Sequence, residues 1–323
     1  MPMPQPRRAL LAAAAAAALL LAACRPVPPA AQAPDTASDL SRPAPAVQAL
    51  TGHMRSGDFA AFARDAVPPA LHARLDAAWR AGRTRWPLDE LPFSGHFPGM
   101  LEALAAEGSE AGLLAGFDRQ FAGAGREIRA AASTIGMFGV QYVENQGDFS
   151  DSERDHYAQL VAAVAQWAAQ APLDERGRAE EAIPRLAAAA RAAGPTSAEE
   201  LAAAGMDASL RRIGTFSLEA RAVLAGYGLD LDAALDSVDA GLQVQQGDRA
   251  TVRLRYELAG TAIDTVLEME RVDGRWYLAD YLRHARAAAG EAGPLPPGND
   301  AQPGPEAPPG TAAAPGAAPA AAP

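Results

Sequence analysis

Five histidines and a single cysteine bound the chemistry open to this 323-residue chain. The histidines are His53, His72, His96, His156 and His284, and none forms the His-x-x-x-His pair of a helical zinc site. Glu153-x-x-His156 has the i, i+3 spacing of a metal-binding pair. A di-iron bundle site needs two such pairs and two further carboxylates, however. Asp148, Asp151 and Asp155 lie around it, so these acids read as charges that favour a helix N-terminus. Asp280 and His284 stand at i, i+4 and fit either a catalytic acid–imidazole pair or, the preferred reading, an exposed pair closing the end of a sheet. Gly123-x-Gly125 follows no strand and lacks a third glycine in register, so it is no dinucleotide loop. The chain has no P-loop and no Gly-x-Ser-x-Gly elbow. Carboxylate pairs of the glycosidase kind are recognised only by geometry and stay open. No catalytic residue, metal ligand or cofactor is assigned.

Residues 82–99 carry Trp86, Phe93, His96 and Phe97 among repeated glycines and prolines. Such a segment can be a binding surface, or a loop pinned to the core by its aromatics. The pinned loop is the preferred reading, with these four residues kept as the candidate binding surface.

The first 24 residues carry a different kind of chemistry. Arg7 and Arg8 precede an unbroken Ala/Leu run from Ala9 to Ala23, and small residues lead up to Cys24. This is the layout of a secretory signal peptide. The run is short for a transmembrane helix, which needs about 20 apolar residues. Leu21-Ala22-Ala23-Cys24 resembles the lipobox of bacterial lipoproteins. The resemblance implies cleavage after Ala23, diacylation of the Cys24 thiol and acylation of its new amino group. Two or more acyl chains give stable attachment to the lipid bilayer. In that family, aspartate after the cysteine retains the protein in the inner membrane. Arg25 stands there instead, which implies the outer membrane, facing the periplasm. With one thiol, the chain can form no internal disulfide and no cysteine-based zinc site.

The net charge of -11, with arginine as the only basic side chain besides histidine, provides no basic stripe for phosphates and argues against nucleic acid as a partner. Five segments are expected. They are a signal peptide (1–23), the lipidated cysteine with a flexible linker (24–44), a helical body (45–238), a β-rich end packed on the helices (239–288), and a disordered Pro/Ala/Gly-rich tail (289–323).

Within the body, Val47, Leu50 and Met54 mark a first helix, ended by Gly57-Asp58. Leu71, Leu75 and Trp79 mark another after Pro68-Pro69. Ile128–Val143 is almost free of charge and is expected to be a central helix buried on several sides. Ser150 with Glu153, and Ser197 with Glu200, fit capping boxes, while Pro184 should kink or start a helix between them. From Leu242 the period changes to two. Val252, Leu254, Tyr256 and Leu258, then Ile263, Thr265, Leu267 and Met269, alternate with polar residues. Asp273-Gly274 is a two-residue hairpin signal before Arg275–Leu278. The fold class is therefore α+β: a mainly helical body packed against a small C-terminal antiparallel sheet of about four strands, with disordered ends.

Val272-Asp273-Gly274-Arg275-Trp276-Tyr277-Leu278 resembles the last strands of nuclear-transport-factor-like (cystatin-like) domains, and Arg55-Ser56-Gly57-Asp58-Phe59 resembles the break between their first helices. The long helical stretch between them departs from that pattern. The resemblance implies a curved sheet against helices and carries no catalytic residue. The expected function is an outer-membrane-anchored periplasmic lipoprotein with a non-catalytic role in envelope interaction or structure. Its partners would be the bilayer through Cys24 and an envelope protein or peptidoglycan. The alternative is a small-ligand-binding or enzymatic domain of nuclear-transport-factor-like fold. An enclosed pocket with convergent polar groups favours the alternative, whereas a filled core with an exposed apolar patch favours the first.

Overall fold

The computed structural model describes residues 39–90 and 96–291. Cys24, Ala23, Phe93, the signal segment, most of the linker and all but the start of the tail lie outside them. The order is α1 (Pro43–Ser56), α2 (Phe59–Asp65), α3 (Pro69–Arg80), a 3₁₀ turn (Leu88–Glu90), α4 (Phe97–Ala105), α5 (Ser109–Gln120), α6 (Gly125–Glu144) and α7 (Asp151–Gln170). There follow α8 (Arg176–Ala193), α9 (Ala198–Ala204), α10 (Met206–Gly226) and α11 (Leu231–Asp236). The chain continues through β1 (Asp239–Gln246), β2 (Arg249–Leu258), β3 (Thr261–Val272), β4 (Arg275–Leu278) and α12 (Ala279–Ala288). The class is α+β, as the residue pattern predicts.

Local chemistry sets the boundaries. Pro43 opens α1, where a missing N–H costs nothing, and Gly57 closes it in the left-handed region at φ 70°. Asp58 caps α2 by accepting from the Ala61 N–H at 2.9 Å. Both expected capping boxes form, Ser150–Glu153 on α7 and Ser197–Glu200 on α9. Pro184 neither ends nor starts a helix; α8 runs through it. The folded part also begins before the expected linker boundary at residue 44. Leu40 is fully buried and its carbonyl accepts from the Trp276 N–H at 2.8 Å, because the apolar face of β4 offers it a place out of water.

The strands form an antiparallel meander in the order β1-β2-β3-β4. Ala250, Val252 and Leu254 of β2 are buried and alternate with exposed Arg253 and Arg255. Asp273 (φ 50°) and Gly274 (φ 81°) make the β3–β4 hairpin, both in the left-handed region that a type I′ turn demands. On the exposed face Arg253 pairs with Asp264, Arg255 with Asp239 and Arg271 with Asp248.

Three apolar clusters hold the fold. The largest joins α2, α3, α9, α10 and α12 around Trp79, Trp86, Leu75, Leu210 and Tyr277. Full burial of each such side chain contributes about 1.5–3 kcal/mol. Trp79 also donates from Nε1 to the Leu201 carbonyl at 2.8 Å, so truncating it to alanine should cost at least about 3–5 kcal/mol. A second cluster packs Leu40 and Val47 onto Val252, Leu254, Met269 and Trp276. A third seats Ala163 of α7 against Leu258, Ile263 and Leu229. β4 therefore faces apolar neighbours on both sides, Trp276 in one cluster and Tyr277 in another.

Helix α6 overturns one expectation. Far from being a central helix, it packs substantially against α7 alone among the described elements, and only Gly136 and Val143 are buried. Ile135, Met137, Phe138 and Tyr142 are all more than 60% exposed. A low-charge helix can be buried all round or can present an unused apolar surface, and sequence alone does not separate the two. The α6–α7 contact is close because it is made by small residues. A methyl group on Gly139 would stand 2.8 Å from Val161 Cγ1, and one on Gly136 would overlap the Ala165 side chain.

Candidate functional site

The densest polar cluster lies where the 3₁₀ turn, the start of α7 and α12 meet. The capping box fixes Glu153 at the third position of α7, with Oε2 accepting from the Ser150 N–H at 2.8 Å. The i, i+3 and i+4 spacing of α12 places Asp280, Arg283 and His284 on one side, toward that N-terminus. His284 Nδ1 lies 2.6 Å from Glu90 Oε2, and its Nε2 lies 3.3 Å from Glu153 Oε1. Arg283 reaches Glu153, bonds Asp280 Oδ1 at 2.9 Å and donates to the Asp148 carbonyl at 2.6 Å. Ser150 Oγ donates to Asp280 Oδ2 at 2.9 Å. Phe149, Tyr157, Trp86 and Tyr281 wall the cluster.

Both ring nitrogens of His284 face carboxylates, Nδ1 in a hydrogen bond with Glu90 and Nε2 3.3 Å from Glu153 Oε1. Burial by itself lowers the His284 pKa, but the Glu90 hydrogen bond and the charges of Glu90 and Glu153 outweigh it and raise the value. Glu153 is 7% exposed, and burial raises its pKa, with the Asp280 charge adding to the effect; the Ser150 N–H, His284 and Arg283 pull the other way. Three carboxylates face two cations here.

This arrangement corrects the expectation for Asp280 and His284. They are not an exposed pair: both side chains are largely buried, and each bonds to other partners. One turn apart on α12, they contact different elements, because α12 packs into the body instead of fraying from the sheet. The Glu153-x-x-His156 pair also separates. His156 turns to the Tyr256 hydroxyl at 2.7 Å, and burial lowers its pKa, which keeps it neutral. Among the described residues no group of three or more His, Cys, Asp or Glu side chains could hold a metal ion.

Of the aromatic segment, Trp86 and Phe97 pack against the core, and Phe93 lies outside the described residues. Trp86 is fully buried, 6.4 Å from the Tyr281 ring centroid and edge-on to it. The Asp89 carboxylate accepts from Thr84 Oγ1 at 2.8 Å and from the Arg85 N–H at 2.5 Å. Phe97 packs edge-on to Phe216 at 6.2 Å, while His96 is exposed. Trp86, His96 and Phe97 therefore do not assemble into one surface. His53 and His72 hydrogen-bond to carboxylates, His53 to Asp65 at 2.8 Å and His72 to Asp207 at 3.1 Å.

Chemically, the cluster is a latch. Glu90, Glu153, Asp280, Arg283 and His284 are paired with one another, whereas the buried Trp86 Nε1 beside them has no hydrogen-bond partner among the described residues, and two surface concavities lie away from the cluster. One is a groove of about 430 Å³ between α6 and α7, lined by Ser133, Met137, Val140, Ala162 and Gln166 among others. The other lies beside β2 and β3, near Arg255 and Ile263. Glu90 is the member that sequence reasoning missed, because it sits in a segment without periodicity. No family model, curated protein or solved structure matches the chain.

Proposed function

We propose that this chain is a lipid-anchored envelope protein that presents a non-catalytic domain to a partner from the periplasmic face of the outer membrane. The observation that carries the reading is the uncovered apolar surface of α6, where Ile135, Phe138 and Tyr142 are 64%, 66% and 66% exposed. Large exposed apolar patches mark interaction sites in soluble domains. The closed latch around His284 supports the same reading, since its polar groups are occupied by one another. No described helix is long and apolar enough to cross a membrane. Attachment would come from acyl chains on Cys24, with the residues that follow as a tether. A tether raises the local concentration of the domain near its partner, so a modest interface suffices. The partner is an envelope protein or peptidoglycan.

Two experiments test this. Cys24→Ser should abolish fatty-acid labelling and leave an uncleaved or mislocalised precursor; unchanged labelling refutes the anchor. A pull-down from membranes with the full chain should recover a stoichiometric partner, and Ile135→Glu should lose it. Undiminished recovery by the variant refutes α6 as the interaction face.

A further inference from the structure

The exposed face of α6 is built to meet itself. Ile128, Ala131, Ile135, Phe138 and Tyr142 follow one another at intervals of three, four, three and four residues. That spacing makes a single seam along a helix, the pattern by which two helices interlock side chains. No charged residue occurs from Ala130 to Val143. Among the described residues no element packs substantially over this seam, since α6 rests on α7 through Gly136 and Gly139 on another side.

The geometry points to a second copy of this chain as the occupant, with two α6 helices packed antiparallel about a two-fold axis between Gly136 and Met137. In that register Ile135 lies opposite Phe138 of the other copy, and Ala131 lies opposite Tyr142. Small meets large, and symmetry makes each pairing twice. The area is adequate for a weak dimer. Phe and Tyr each bring about 150–250 Å² when fully buried, so these exposed aromatics with Ile135 remove roughly 350 Å² per copy. Adding the smaller residues along a helix of about 30 Å brings the total to the low end of specific interfaces, roughly 1,000 Å². A bilayer is the poorer occupant. Surface-lying helices favour Lys and Arg on their polar face. The only basic residues of α6 are Arg126 and Arg129, both in its first two turns and flanking Glu127, the rest of its polar surface is uncharged up to Glu144, and the chain's net charge is -11. The pairing rests on reading α6 as an interaction face but does not depend on the lipid anchor.

The test uses the full chain with Cys24→Ser, which removes the native thiol and the anchor together. Sedimentation should show a monomer–dimer equilibrium with a midpoint at micromolar concentration. Ile135→Glu should shift that midpoint at least tenfold upward with an unchanged circular dichroism spectrum. Adding Ala131→Cys and Tyr142→Cys to one chain should give disulfide-linked dimers on mild oxidation. Those two positions lie eleven residues apart on one helix and cannot bridge within a copy. A chain that stays monomeric at 100-fold higher concentration than about 1 μM, the scale of a weak interface, overturns the pairing. So does a dimer that Ile135→Glu leaves intact, or one that cross-links only at other positions. If the chain is monomeric but binds phosphatidylcholine vesicles in an Ile135-dependent way, the face is a membrane contact and the dimer is wrong. If it is monomeric while Ile135→Glu still loses its envelope partner, the proposed function survives and the pairing alone fails.

Discussion

Replacing Gly214 with alanine tests how the helical body is joined to α1 and α2. Gly214 lies in the middle of α10 and faces the Gly57 junction, with the two backbones in contact. A methyl group at Gly214 would stand 3.1 Å from the Gly57 carbonyl carbon and closer still to its oxygen. The obstacle is backbone, held by the Gly57 conformation at φ 70°, so no side chain can rotate out of the way. Overpacking of this kind costs typically about 1–3 kcal/mol, and a backbone clash belongs at the upper end. Alanine offsets about 1 kcal/mol of that by its better helix propensity. The net expectation is a loss of about 2 kcal/mol, or a fall in Tm of about 4–8 °C for a domain of this size. Gly52 provides the control. It sits in α1 with nothing within 4 Å of its would-be Cβ, so Gly52→Ala should stabilise by up to about 1 kcal/mol. Thermal unfolding followed at 222 nm on both variants decides the matter. If Gly214→Ala matches or exceeds the stability of Gly52→Ala, the close approach of α10 to the Gly57 junction is wrong.

Three further outcomes are expected. His284 has a pKa raised above 6.5 by Glu90 and Glu153, so the native state holds this proton to higher pH than the unfolded chain. Its stabilisation is complete below about pH 6.5 and is lost as pH rises through the raised native value. Urea unfolding between pH 6 and 8.5 should therefore show declining stability that His284→Gln flattens, and parallel declines in the two proteins would count against the latch. Arg221 is buried and donates to the Met54 and Arg55 carbonyls, each at 2.8 Å. Arg221→Met leaves these acceptors at the end of α1 without their donor and should cost about 2–3 kcal/mol in the urea midpoint, with a change under about 0.5 kcal/mol contradicting the role. Ala259 sits at φ 49° beside Gly260 in the β2–β3 turn, where an alanine is strained. Ala259→Asn should stabilise by about 0.5–1 kcal/mol, and a lower Tm would show that the turn favours the smaller side chain.

The β-rich end was legible because its information is local. Alternation along Val252–Leu258 names the buried face, and Asp273-Gly274 names the turn that reverses the chain. The two capping boxes were legible for the same reason, since each is a four-residue interaction. What failed was long-range. Nothing near Ile135 or Phe138 in the sequence says whether another element will cover them, and among the described elements α6 packs substantially on α7 alone. The partners of His284 are 131 and 194 residues away, at Glu153 and Glu90, so the i, i+4 acid drew attention to the wrong carboxylate. Pro184 starts no helix but lies inside α8, whose buried face is five alanines packed on α10.

The bond from the Trp276 N–H to the Leu40 carbonyl gives the fold a defined mechanical entry point. A pull arriving from residues before 39 reaches Leu40 first and must prise it from beside Trp276 before α1 can lift off the sheet. A backbone bond and a buried aliphatic side chain at such a point are loaded before the strand ladder is. The sheet, Trp79 and the helices around it lie beyond that first catch. Strain on the leading segment would therefore be borne first at Leu40, ahead of α1 and the apolar clusters that α1 joins.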